Sequence, residues 1–422
     1  MTFASRTRGA LVHAYLRAGT RQAVWHRMRS RVWAGTPTLT FWHQVDDPWS
    51  HLLAQALPRF LAAFPAAELA MEIVPPPAAD ADPEPQLRLA HGIRDAAALA
   101  SLYPELDFPR APEALPDDRV RRANAALLSV ADGRERLDAA IQIGRALWND
   151  RPDDLRQGIG AVGAVPGHRI DPLLEDAYTR LRAAGHYQGA MIRYGGEWYW
   201  GVDRLWHLAR ALGADEAGLA RALPSATPGR GTAPRGQVEV FFSFRSPYSY
   251  VGLQRLAERY GADPAVTLEL RPLLPMVTRG LAVPEMKKLY IARDAYREAR
   301  VHGVPFGRVY DPLGEGVERC LRLFEAAPPD QRLAVSLAAF RAIWAEAEDL
   351  TDDASFARLA AEVGLDAAQV LAGGDAWRGR VEANRAELGT LGLWGVPSFR
   401  VGDGVTWGQD RLDLVHRWLC EP

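Results

Sequence analysis

Two segments of the chain follow the same course, and that repetition limits the folds open to it more than any other feature. LTFWHQVDDPWS (39–50) and VEVFFSFRSPYS (238–249) each run from an apolar stretch through a polar turn into Pro-aromatic-Ser and then a helical pattern. Farther on, WYWGVDRL (198–205) is echoed by VTWGQDRL (405–412), and ALWNDRPDDL (146–155) by AIWAEAEDL (342–350). The spacing agrees: Trp148 lies 100 residues after Pro48, and Trp344 lies 97 after Pro247. Matches in the same order at similar offsets read as a tandem duplication of a whole domain. The length of 422 residues fits two domains of about 200 residues each. Between the copies, residues 223–236 are rich in Pro, Gly, Ser and Thr without apolar period, and read as a linker. The expected domains are therefore 37–222 and 237–422, preceded by a basic arm over 1–36. That arm holds Arg6, Arg8, Arg17, Arg21, Arg27, Arg29 and Arg31 with no acid. It reads as packed on the body or partly ordered, with a membrane-surface or transit role as the alternative.

Composition excludes several classes. A hydrophobic content of 48% with 24% charged residues is that of a globular protein. The net charge of −2 gives no reason to expect nucleic acid. No apolar run approaches the ~20 residues of a membrane span, and no secretory apolar region is visible, so a cytoplasmic location is expected. Cys320 and Cys420 form neither a C-x-x-C nor a metal spacing. Cys320, in line with Val317, Leu321 and Phe324, reads as core.

The turn in the second copy carries the first candidate for chemistry. The apolar run Val238–Phe242 leads to Ser246-Pro247, after which Tyr250, Leu253 and Leu256 recur with helical spacing. Ser is a favoured N-cap, and Pro is favoured at the first helical position. Ser246 Oγ thus sits where unpaired N–H groups and the helix dipole favour an anion. The residues alone leave two readings, a plain helix cap or a hydroxyl that holds an anionic group.

Each copy runs strand, helix, strand, a long helical stretch, then strand-turn-strand-helix. With SPYSY at one end and GVPSF…WGQDRL at the other, this order resembles the DsbA-like family, in particular its 2-hydroxychromene-2-carboxylate isomerases and kappa-class glutathione transferases. The resemblance covers residues 237–420 well and 37–215 weakly. It implies an α/β fold of two tandem thioredoxin-like domains, each with an inserted helical subdomain, and glutathione as cofactor. Ser246 matches the Ser that replaces the first Cys of the thioredoxin C-x-x-C. Pro397 matches the cis-proline, so the Val396 backbone is expected to pair with the cysteinyl unit, as an extended peptide pairs with an open edge. Gln409 and Asp410 match residues that hold the γ-glutamyl end, and Lys287 matches a lysine that contacts the ligand. The alternatives are a plain turn proline, a first-turn acid and a solvated lysine pair with Lys288. Tyr290, Arg293 and Asp294 fall on turns that could line the cleft. HGVPF (302–306) resembles the family's loop over the substrate, where His302 is either an acid-base group or structural. One departure stands out: Gly316 lies near the position where relatives often have Asn, which leaves the isomerase substrate open.

These residue types suit a thiolate. A glutathione thiol with a pKa near 8.5 is mostly protonated at neutral pH. A hydroxyl donor and a helix N-terminus both favour its anion, and a drop of one to two units corresponds to roughly 1.4–2.7 kcal/mol. Ser cannot form a disulfide, which argues against dithiol exchange. The expected function is a glutathione-dependent isomerase or transferase acting on an electrophilic aromatic or unsaturated small molecule. A non-catalytic thioredoxin-fold binding or scaffold protein is the second reading, and a DsbA-type oxidoreductase the third.

In the first copy Asp47 stands at the Ser position, Met191 at the cis-proline position and Val202 at the position of Gln409. A carboxylate would repel a thiolate, so no glutathione site is expected there. The first copy is expected to serve as the partner in an intramolecular pseudo-dimer, with a homodimer as the alternative. A rival reading gives Asp46 and Asp47 a chemistry of their own within Trp42, Trp49, Trp148, Trp198 and Trp200.

Overall fold

The computed structural model describes Ala10 and residues 12–17, 36–110, 113–226, 232–281 and 283–421. The described residues group into two compact units. One spans Gly19–Pro228 with Pro284–Lys287, the other Met1–Ala18, Gly229–Val283 and Lys288–Pro422.

In the first unit, strand β1 (Thr38–His43) leads through a turn to helix α1 (Pro48–Ala63) and then to β2 (Glu68–Ile73). Helices α2 (Pro85–Leu102), α3 (Asp117–Ser129), α4 (Gly133–Trp148), α5 (Pro152–Val162) and α6 (Gly167–Ala183) follow. The hairpin β3 (Met191–Tyr194) and β4 (Glu197–Trp200) and helices α7 (Leu205–Ala211) and α8 (Glu216–Ala222) complete it. The sheet order is β2-β1-β3-β4, with β1 parallel to β2 and antiparallel to β3. Leu39 and Phe41 on the central strand are fully buried against Leu53, Leu57 and Phe60 of α1. Trp42, Trp49, Trp148 and Trp198 are also buried, which makes them core residues. Trp49 Nε1 donates to buried Asp95 Oδ2 at 2.8 Å.

The second unit repeats this order around its own core. Strand β5 (Gly236–Phe242), helix α9 (Pro247–Tyr260) and β6 (Val266–Pro272) come first. Then come α10 (Glu285–Val301), whose first turn groups with the other unit, α11 (Glu315–Ala326) and α12 (Arg332–Trp344). They are followed by α13 (Asp353–Glu362), α14 (Ala367–Ala372) and α15 (Trp377–Thr390). The hairpin β7 (Ser398–Val401) and β8 (Gly404–Trp407), a 3-10 turn at Gln409–Arg411 and helix α16 (Leu412–Cys420) end the chain. The sheet order is β6-β5-β7-β8, with the same pairing senses as in the first unit. Alternation along β5 decides its two faces. Val238, Val240 and Phe242 join Tyr250, Leu253, Phe324 and Phe340 on one side. Phe241 joins Leu273, Leu388 and Leu393 on the other. Cys320 is fully buried, and burial pushes its thiol far up.

Of the basic arm, residues 12–17 are helical, Leu16 is buried, and the Arg293 guanidinium lies 4.4 Å from the Tyr15 ring centre. Residues 1–9, 11 and 18–35 of the arm lie outside the described residues, as do linker residues 227–231. The end of the linker is tied down, since Arg235 N donates to Leu419 O at 3.0 Å. Among the described residues, no helix is long and apolar enough to cross a membrane.

Strand register corrects one assignment. β1 meets β3 as Trp42↔Met191, and β5 meets β7 as Phe241↔Ser398. Trp42 and Phe241 stand at the same distance before their cap residues, so Met191 corresponds to Ser398. The residue at the Pro397 position is Ala190, which has a φ of 55°. Its carbonyl accepts from Gly201 N at 2.8 Å, as the Pro397 carbonyl accepts from Gly408 N at 2.9 Å.

Candidate active site

Ser246 caps α9 with extended backbone (φ −99°, ψ 114°), and its Oγ accepts from Ser249 N at 3.1 Å. Pro247 follows at the first helical position, where its missing N–H loses nothing. The turn is held from outside. Arg245 makes a two-pronged ion pair with Asp311 at 2.7 and 2.8 Å, and Trp344 Nε1 donates to Phe244 O at 3.1 Å. Ser246 itself is half-buried, so its hydroxyl remains within reach of a ligand.

Across from this turn lies the loop before β7. The Val396–Pro397 peptide is cis. Ser246 Oγ donates to Val396 O over 3.4 Å, a long bond that a better acceptor can displace. The Val396 N–H has no acceptor among the described residues, although Val396 is only half-buried. A backbone amide and carbonyl with no firm partner, beside a capped helix start, form an edge for an extended peptide. The helix and the loop approach closely because position 252 is Gly. A Cβ there would meet Gln409 Cβ at 3.3 Å, Phe399 Cζ at 3.5 Å and Pro397 Cγ at 3.6 Å. Gly395 is squeezed harder, as a Cβ would lie 2.7 Å from the Trp407 ring.

Gln409 is fully buried and its side chain is spent inside the protein. Its Oε1 accepts from Arg255 Nη1 at 2.6 Å, and its Nε2 donates to Glu298 Oε2 at 2.8 Å and to Asp410 Oδ1. The side chain therefore braces the loop and does not present itself to a ligand. Asp410, half-buried beside it, keeps its place at the entrance of the last helix. Burial drives the Arg255 guanidinium down from its ordinary value, with Asp410 and Glu298 opposing the shift. Glu298 and Arg255 were not among the residues singled out from sequence, and neither stands in a motif that could have revealed them.

Lys287 groups with the first unit, where its ammonium donates to Ala81 O at 3.0 Å and lies 5.4 Å from the Tyr187 ring centre. Burial lowers its pKa. Asp294 is buried, accepting from Tyr248 Oη at 2.7 Å and from Arg297. Phe306 of the HGVPF loop stacks on Trp344 and Tyr250, so its ring belongs to the packing. His302 Nε2 lies 3.9 Å from Glu298 Oε2.

The matching turn in the first unit is closed. Asp47 caps α1 by accepting from Ser50 N at 2.8 Å, and its other oxygen lies 3.3 Å from Arg88 Nη1. Arg88 also bonds Asp82 Oδ2 at 2.5 Å. Burial raises the Asp47 pKa, outweighing the pull of Arg88. The loop opposite is pressed shut. A Cβ at Gly189 would lie 2.6 Å from Gln44 Cβ, and Ala190 N donates to Ser50 Oγ at 2.7 Å. The position of Val396 is thus held in the first unit by Gly189, which is buried against Gln44, whereas Val396 is half-buried.

Residues 237–419 match the family described as DSBA-like thioredoxin domain. A 2-hydroxychromene-2-carboxylate isomerase of Sphingobium xenophagum is 29% identical over 201 residues, which make up 44% of this chain and 98% of that protein. Among solved structures, a 2-hydroxychromene-2-carboxylate isomerase is 24% identical and aligns with 43% of this chain and 92% of its own, with a TM-score of 0.37. The cytosolic disulfide reductase DsbM from Pseudomonas aeruginosa, solved with GSH, is 16% identical over 40% of this chain and 88% of its own, with a TM-score of 0.31. The second half of the chain is thus a DsbA-like thioredoxin domain.

Proposed function

We propose that residues 237–419 bind glutathione and act as an isomerase or transferase on an electrophilic aromatic or unsaturated small molecule. The observation that carries this reading is the meeting of Ser246 Oγ with the Val396 backbone across a cis Val396–Pro397 peptide. The kinship with an isomerase that aligns over nearly its whole length adds the reaction class. When bound, the tripeptide supplies a thiolate nucleophile for conjugate addition. Val396 N–H and C=O hold its backbone in the extended form. Ser246 turns its hydroxyl from the distant Val396 carbonyl to the sulfur and donates to it. The start of α9 adds its positive dipole end, so the anion is favoured twice. Asp410 takes the α-ammonium of the γ-glutamyl end. Dithiol chemistry is disfavoured by the cysteines themselves, because Cys320 is fully buried and Cys420 lies in the last helix, 3.8 Å from His416 Nε2.

The two units arose, in this reading, by duplication of one thioredoxin-like domain, and the first has lost its site. The shared sheet order and pairing senses support it.

The Ser246→Ala variant tests the mechanism. It should still bind glutathione, but the bound thiol's pKa, followed by thiolate ultraviolet absorbance, should rise by about one to two units. The variant also loses a helix cap worth about 1 kcal/mol of stability. An unchanged thiol pKa would reduce Ser246 to that cap.

A further inference from the structure

Gln409 raises a question that the glutathione reading leaves open: why a buried amide stands directly before the carboxylate that meets the ligand. Its hydrogen bonds answer it. Two helices converge on this one side chain, and its own turn adds a third partner. Arg255 reaches it from α9, the helix that Ser246 caps, bonding both Gln409 Oε1 at 2.6 Å and Gln409 O at 2.9 Å. Glu298 reaches it from α10 and accepts from Nε2 at 2.8 Å. The second Nε2 hydrogen goes to Asp410 Oδ1.

An amide has one acceptor oxygen and two donor hydrogens, and here each has a charged partner. That leaves a single orientation. If the amide were reversed, its NH2 would face the Arg255 guanidinium and its oxygen would face the Glu298 and Asp410 carboxylates. Glu298 is 6% exposed, so its carboxylate has little water to turn to if the bond is lost. Arg255 and Glu298 therefore fix the amide, and the amide fixes the rotamer of Asp410. The same loop is tied to the cis-proline loop, since Gly408 N donates to Pro397 O at 2.9 Å.

We propose that Glu298 is a positioning residue that acts through Gln409 to aim the Asp410 carboxylate at the ligand's α-ammonium. The proposal rests on the glutathione reading and adds to it the source of selectivity for a free γ-glutamyl amine. In this scheme the Gln409 side chain touches no ligand. The first unit has Val202 at this position, whose side chain has no amide to transmit such a constraint.

The test compares glutathione with its deamino analogue, in which hydrogen replaces the α-amino group, by calorimetric titration of the full chain. The wild type should prefer glutathione by about tenfold or more. Glu298→Leu should abolish that preference by weakening glutathione alone. Glu298→Gln, which keeps an acceptor oxygen, should retain most of it. Gln409→Met, close in shape but without the amide, should repeat the loss, and it carries the test if Glu298→Leu does not fold. Persistence of the preference in a folded Glu298→Leu or Gln409→Met chain would overturn the proposal. So would equal weakening of both ligands, which would mean general loosening. A wild type that binds both ligands equally removes the role of Asp410 but leaves the thiolate site standing. A wild type that binds neither overturns the glutathione reading itself, and this proposal with it.

Discussion

At the scale of single residues, hydrogen-bonding capacity decides who faces a ligand. Ser246 has a long, weak bond to give up, whereas the Gln409 amide has none to spare. Lys287 has also spent its charge, on Ala81 O and the Tyr187 ring. Lys287→Met should therefore leave glutathione affinity within about twofold of the wild type by titration, since a change of a few tenths of a kcal/mol is below a lost contact. A tenfold loss would return the lysine to the site. Ser246 and Val396-Pro397 were legible in sequence because cap and loop chemistry is local. The role of the Gln409 side chain was not, because Arg255 and Glu298 reach it from helices far away in the chain. Ala190 was hidden by a slip of one residue, which GAMI set beside GVPS cannot reveal and strand register does.

At the scale of elements, the two central strands and the helices after them carry different core residues on the same plan. β1 ends in His43 and α1 carries His51, where β5 and α9 have Phe242 and Tyr250. Both histidines are buried, and burial brings both imidazoles down to about 3, with each other's proximity and Arg145 adding to the effect on His51. The unfolded chain takes up protons on these rings as pH falls through about 6.5, and the folded chain does not until about 3. Stability is thus full above 6.5 and is lost as pH falls from there toward 3, at about 1.4 kcal/mol per unit per ring. Urea unfolding of the first unit should cost on the order of 2–4 kcal/mol less at pH 5 than at pH 7. His43→Phe should remove about half of that slope; an unchanged slope would mean that the rings are not its source. The element pattern was largely legible. Ser398–Val401 stands out between the cis proline and a tight turn. Helix α15 did not, because its exposed face is charged and Gly379 and Gly389 interrupt its apolar period.

At the scale of the whole molecule, the same sheet order occurs in both units, and the loop opposite the capped helix leaves Val396 half-buried in the second but buries Gly189 in the first. In the second unit the Val396 N–H has no acceptor among the described residues. In the first unit Gly189 lies against Gln44, Ala190 N is held by Ser50, and Asp47 is paired with Arg88. The matching segments were plain in sequence, but this closure was not, because it depends on contacts between residues far apart in the chain. Calorimetric titration of the full chain with glutathione tests the account most directly. It predicts one glutathione per chain, bound more weakly when Asp410 is changed and bound with a raised thiol pKa when Ser246 is changed. No heat of binding at millimolar ligand, or two equivalent sites per chain, would contradict it.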